Sequence, residues 1–206
     1  MRPTIGSAVN IGLRAAMVAM LGAVLRAGEN DPRYVGKGIG TRFGLFAMPA
    51  SMLVPVLWAL GRRRVARREP AGAEPVGSAP AYPAWMDSAW LSMLALDLLG
   101  NVFDLYDRHT HFDLIPHAHG TGVLTVTVAW LLDVPMMRAI GIATALHVLL
   151  EAQEVASDVV FGYRNVRGVW DEVGDLSAGA VGSVVYAAAY QRFVRDAGRE
   201  PVSPLA

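Results

Sequence analysis

The sequence predicts an all-α integral membrane protein: a single domain over residues 1–206, built as a polytopic bundle of about six transmembrane helices. Three observations carry that expectation. Hydrophobic residues make up 53% of the chain and charged residues 17%, and the mean hydropathy is +0.35, which is more apolar than a soluble domain of this length. The apolar residues arrive in blocks close to the ~20 that cross a bilayer as a helix. Arginines gather between those blocks and in the tail, as they do beside spans. A formal net charge of +0 with no basic face argues against a nucleic-acid partner. The absence of cysteine removes disulfides and thiolate zinc sites from consideration.

The apolar blocks fall at residues 7–27, 39–60, 85–103, 116–132, 136–153 and 176–194. The first follows Met1 and Arg2, yet Asn10 and Arg14 interrupt it and no small-residue cleavage site follows, so it reads as a retained helix rather than a signal peptide. Residues 61–84, "GRRRVARREPAGAEPVGSAPAYPA", are basic at the start and rich in Pro, Ala and Gly thereafter, the composition of a mobile loop. Arg62, Arg63, Arg64, Arg67 and Arg68 assign that loop to the cytoplasm. Alternation from there puts both termini in the cytoplasm. The loop after the third span, the end of the fifth and the start of the sixth then share the outer face.

Titratable residues concentrate on that face. Tyr106 to Gly120, "YDRHTHFDLIPHAHG", contains four of the five histidines. Along the third span, Asp97, Asn101, Asp104, Arg108 and His111 recur at alternating intervals of four and three, one stripe of a helix if the helix continues that far. The fifth span repeats the pattern with His147, Glu151, Glu154 and Asp158. A charge in hydrocarbon costs at least ~2.5 kcal/mol, so the two seams are expected to face each other or a wet cavity. Asp171 and Asp175 lie one turn apart at the start of the sixth span, and Ala178 and Gly182 continue their face with small residues suited to close helix approach. Carboxylates and imidazole from several helices suit a divalent cation. His117 and His119 follow Pro116 at a spacing of two, which puts them on different faces and suits capping or interface contacts better than a shared ion.

"YDRHTHF" resembles the Tyr-Asp-Arg-x-x-His-Phe signature of the YjdF-like bacterial inner-membrane proteins, and "VWDEVGDL" resembles their later Trp-Asp-x-x-x-Asp segment. A looser similarity extends to VanZ-like membrane proteins, which share an Asp-x-x-x-His element, a Glu-bearing helix and a late Asp. The likeness covers residues 97–182. It implies a bacterial cytoplasmic membrane location and carries over Asp107, His111, Glu151 or Glu154, Asp171 and Asp175. Here "DLIPHAHG" stands where the family has a nearby glycine, and the glutamine of its Trp-Asp segment is missing.

These readings converge on an enzyme dependent on a divalent metal and acting on a lipid or envelope precursor. His111, Glu151, Asp171 and Asp175 are its expected ligands, with Asp107 or Glu154 as the catalytic carboxylate. Asp97, Asn101, Asp104 and His147 form the expected intramembrane polar set. Two other classes fit the same residues: a non-catalytic envelope protein that binds a lipid headgroup, drug or cation, and an ion-coupled carrier using Asp97, His147 and Glu151 as a relay.

Overall fold

The computed structural model describes residues 5–68, 81–196 and 198, and these form helices and turns with no strand among them. Every apolar block is helical. α1 covers Ile5–Ala27. The second block is broken into α2 (Ile39–Thr41), a π-helical turn (Arg42–Ala47), α3 (Met48–Ala50) and α4 (Leu53–Arg68). Pro49 lacks the N–H that a continuous ladder needs, and the Ser51 hydroxyl donates to the Met48 carbonyl at 2.7 Å where the α-helix lapses. α5 (Ala84–Val102), α6 (Leu105–Arg108), α7 (Leu114–Leu132), α8 (Met136–Phe161) and α9 (Val169–Tyr190) follow, with a terminal π-turn at Gln191–Arg195. The basic run expected to open a loop at residue 61 instead prolongs α4 to Arg68, while residues 69–80 of that stretch lie outside the described residues.

Among the described residues, three helices are long and apolar enough to cross a membrane: Ile5–Ala27, Arg42–Arg63 and Met136–Phe161. They sit at the periphery and turn large apolar side chains outward, among them Ile11, Val18, Leu25, Leu45, Phe46 and Leu149. Polar side chains such as Asn10, Asp87, His147 and Glu151 are buried alongside the apolar core. α7 is the central helix, buried almost without break from Thr121 to Trp130. Its closest neighbour is α9. Gly182 lies so near the Ala118 carbonyl that a Cβ there would strike backbone, and the Tyr186 ring occupies the place of a Cβ on Gly122. Small residues thus set the approach of the two helices, as the sequence pattern at Gly182 leads one to expect.

The third-span stripe does not run to His111. α5 stops at Val102, whose carbonyl accepts from the Arg33 guanidinium at 2.9 Å, and Asp104 takes a left-handed conformation with φ 57° that turns the chain. Tyr106 and Phe112 then fold back as an edge-on ring pair over Gly100, where a Cβ would meet both rings. Asp97 and Asn101 keep the stripe, but Asp104, Arg108 and His111 leave it.

One polar cluster ties α1 to the start of α5. Asp87 is wholly buried, and its Oδ2 accepts from Arg14 Nη2 at 2.6 Å, Asn10 Nδ2 at 2.7 Å and the Tyr82 hydroxyl at 2.6 Å. Arg14 also donates to the Ser51 carbonyl at 3.2 Å. The residues that interrupt the first apolar block are therefore the ones that satisfy a buried carboxylate.

Candidate metal centre

α7, α8 and α9 bring imidazoles and carboxylates together in the bundle. α8 contributes its middle, where His147 and Glu151 are one turn apart and point the same way. α7 contributes its first turns, with Asp113 at the N-cap position and His117 four residues later. α9 contributes Asp175 from its second turn. Gly179 makes room for the His147 ring, since a Cβ at that position would overlap it.

The geometry is a small triangle. His117 Nδ1 lies 2.9 Å from His147 Nε2 and 3.1 Å from Glu151 Oε1, and His147 Nε2 lies 2.8 Å from the same Oε1. Glu151 Oε1 is buried and makes no hydrogen bond of acceptable geometry, although two ring nitrogens stand beside it. On the other side of the His117 ring, Nε2 lies 3.2 Å from Asp113 Oδ1 and 3.9 Å from Asp175 Oδ1, the latter also buried without a hydrogen-bond partner. Asp113 is approached in turn by Arg167 Nη2 at 3.6 Å. A proton of His117 on Nε2 would be met by Asp113, and in that tautomer the Nδ1 lone pair faces the triangle.

Two nitrogens and one oxygen spaced this way fit a cation. Donor atoms ~2.1 Å from a metal stand ~3 Å apart when adjacent in an octahedron, and the three separations observed bracket that value. Asp113 fits the carboxylate that commonly accepts the second N–H of a ligating histidine and fixes its orientation. Asp113, His117 and Asp175 form a second three-residue group of the same kind sharing the same ring.

The other residues singled out from the sequence are distributed around this centre. Glu154 accepts from Arg42 Nη2 at 2.8 Å, and Arg42 Nε lies 3.6 Å from Asp97 Oδ2, so a cation from the second block joins the two polar seams. Asn101 donates to Asp97 Oδ1 at 3.2 Å, and the Tyr106 hydroxyl does so at 2.8 Å. Lys37 bonds Asp107 at 2.7 Å and lies 3.8 Å from Asp104. The Lys37 ammonium holds the Asp107 carboxyl below the usual range. Asp171 accepts the Arg167 backbone N–H at 3.3 Å and belongs to neither three-residue group. His111 is exposed in a shallow depression with Arg108 and His109, apart from the triangle. Glu172, in the first turn of α9 ahead of its apolar stretch, is raised to about 7 by burial and then by the charges of Glu151 and Asp175, which marks an excess of negative potential there.

His117 is the hub of the centre, and the spacing that reveals it is present in the sequence. "DLIPH" repeats the Asp-x-x-x-His element of "DRHTH" six residues later, with the difference that Asp113 and His117 both belong to a continuous helix. His119 does turn to another face, where Nε2 meets the Ser92 hydroxyl at 2.9 Å and Nδ1 meets the Tyr186 hydroxyl at 2.5 Å.

A cavity of about 660 Å³ opens beside the triangle, lined by His117 and His147 together with Arg42, Asp97, Glu154 and a series of Leu and Phe side chains. Fold and site define a class: an all-α protein with apolar helices of membrane-spanning length and an internal imidazole–carboxylate cluster. No protein-family model, curated protein or solved structure gives a significant match to the chain.

Proposed function

We propose that the chain is a multi-pass protein of the bacterial cytoplasmic membrane, with about six spans and both termini inside, that binds one divalent cation through His117, His147 and Glu151 and uses it for hydrolysis of a membrane-borne substrate. The observation that carries this reading is the buried Glu151 Oε1, which stands 2.8 and 3.1 Å from two imidazole nitrogens that are themselves 2.9 Å apart. Three lone pairs converging in a low-dielectric interior repel one another unless a cation or a shared proton lies among them. A bound divalent ion would supply Lewis acidity and a more acidic water. Asp113 faces His117, and Glu154, one turn beyond Glu151, lining the cavity and paired with Arg42, would be the carboxylate to take a proton from that water. The similarity of "YDRHTHF" and "VWDEVGDL" to YjdF-like proteins supports a membrane role, although in this chain the Tyr106 and Phe112 rings pack over the end of α5.

The test is metal stoichiometry and thermal melting of the full chain purified in detergent without a polyhistidine tag. One Mn²⁺ or Zn²⁺ per chain, with a melting temperature that rises with metal and falls with chelator, is expected for wild type and for Asp171→Asn. Glu151→Gln should need about 100-fold more metal to give either response. A wild-type protein indifferent to metal and chelator overturns the reading. The hydrogen-bonded chain Ser92–His119–Tyr186 favours a second reading, an ion-coupled carrier. In that case liposomes holding the protein would pass protons under an imposed potential, and His119→Phe would stop them.

A further inference from the structure

The cavity beside the triangle differs in character from one end to the other, and its walls are incomplete. α8 packs on α7 and α9, whereas no extensive packing joins α8 to the π-helical turn of the second block. Across that gap Arg42 pairs with Glu154 at 2.8 Å. The rims of the gap are apolar and outward-facing: Leu45 and Phe46 on one side, and Leu146, Leu150 and Phe161 on the other, all of which also line the cavity. From Phe161 down to Leu146 is fifteen residues of α8, ~22 Å of helix. That is longer than one leaflet of a ~30 Å hydrocarbon core.

The upper end carries paired basic and acidic side chains beside one further arginine. Of the four basic side chains lining the cavity, Lys37, Arg42 and Arg167 are each near a carboxylate, but Arg164 has no ion pair among the described residues. Its position is built rather than incidental. Asp158 accepts from the Asn165 and Val166 backbone N–H groups at 2.8 and 2.9 Å, and the Arg164 N–H donates to the Gly36 carbonyl at 2.8 Å, so the loop bearing Arg164 is clamped at two points. An arginine held by its backbone, with an exposed guanidinium that has no ion pair among the described residues, complements an anion attached to a chain when it stands above a long apolar slot open to the side.

We infer that this cavity is a lateral portal for a lipid with a phosphate headgroup, which enters between the second block and α8 with its chain along Leu150 and Leu146 and its phosphate at Arg164. The inference rests on the hydrolytic reading for its purpose, but the binding it describes is measurable without metal. The full chain in detergent would be titrated with dioctanoyl phosphatidic acid, dioctanoylglycerol and inorganic phosphate, each with and without Mn²⁺, by calorimetry and melting. Phosphatidic acid should bind one per chain, at least tenfold more tightly than either other probe. Arg164→Gln, at an exposed position, should weaken phosphatidic acid at least tenfold and leave dioctanoylglycerol unchanged. Leu146→Trp, which fills the slot from a lipid-facing position, should weaken phosphatidic acid and leave inorganic phosphate unchanged. Equal binding of inorganic phosphate would make this a free-anion site, equal binding of dioctanoylglycerol would make it an apolar slot only, and either result overturns the proposal. Lipid binding that persists while Mn²⁺ binding fails would retain the portal and remove the metal reading; the converse would remove the portal alone.

Discussion

Asp87 and Glu151 are both buried acids in an apolar bundle, and each leaves one oxygen without a hydrogen bond, Oδ1 in the first and Oε1 in the second. Their surroundings differ in kind. Asp87 is met by obligate donors, since Arg14 and Asn10 present N–H groups and Arg14 adds a fixed charge within 2.6 Å. Glu151 is met by two imidazoles, each of which can offer a lone pair in place of a proton. A cluster of the first kind is complete within the chain and holds α1 to α5. The second kind can be closed either by an added cation or by the imidazoles' own protons. Buried charge is thus poor evidence of function by itself; the donor and acceptor balance around it is what separates a fastening from a binding site.

Mutation should widen that contrast. Arg14→Leu strands the Asp87 carboxylate in the interior and is expected to destabilise the fold by about 3–5 kcal/mol, the usual cost of removing one partner of a buried pair; denaturant titration in detergent micelles would measure it. Glu151→Gln should do the opposite to stability while lowering Mn²⁺ or Zn²⁺ affinity about 100-fold, or about 2.7 kcal/mol. A melting temperature that drops as far as in Arg14→Leu would place Glu151 with the fastenings and erase the distinction. Asp113→Asn keeps an acceptor beside His117 but removes its charge, so affinity should fall by about 10-fold, within the range for an orienting carboxylate. No change in affinity would show that His117 needs no help to present Nδ1.

The smallest effect belongs to the Lys37–Asp107 pair. The folded-state value of Asp107 is depressed, so its contribution to stability is present above the ordinary carboxylate range and is lost as pH falls through the lowered value. Asp107 is 54% exposed, which screens the pair and limits the change to well under 1 kcal/mol. Hydrogen exchange of the residue 104–112 loop, compared at pH 7 and pH 3 in wild type and Asp107→Asn, should show acid loosening in the wild type only.

What could be read from the sequence follows the range of the interactions. Helical blocks depend on local composition, and each apolar stretch is helical in the structure. The His147 and Glu151 pairing depends on i,i+4 geometry within one helix, and Gly182 on the small size of one residue. The counter-charges were hidden because Arg14, Lys37 and Arg42 reach acids 70 or more positions away, as the separations of 73, 70 and 112 residues in their hydrogen bonds attest. The end of α5 was hidden for a different reason. Periodicity cannot register a single left-handed residue at Asp104, and a stripe that is regular on paper therefore overran its helix into His111. His117 was set aside because it was weighed against His119 instead of against Asp113.

The π-helical turn at Arg42–Ala47 has an arithmetical consequence. Such a turn accommodates one residue more than an α-helix of the same rise. The second block therefore carries a surplus residue, and every side chain before it is rotated by ~100° relative to an uninterrupted α-helix. Arg42 sits at the start of the turn, so the surplus helps aim its guanidinium between Asp97 and Glu154. Deleting Gly44, which has open space where a Cβ would be, would swing Arg42 out of register and part the two seams it joins.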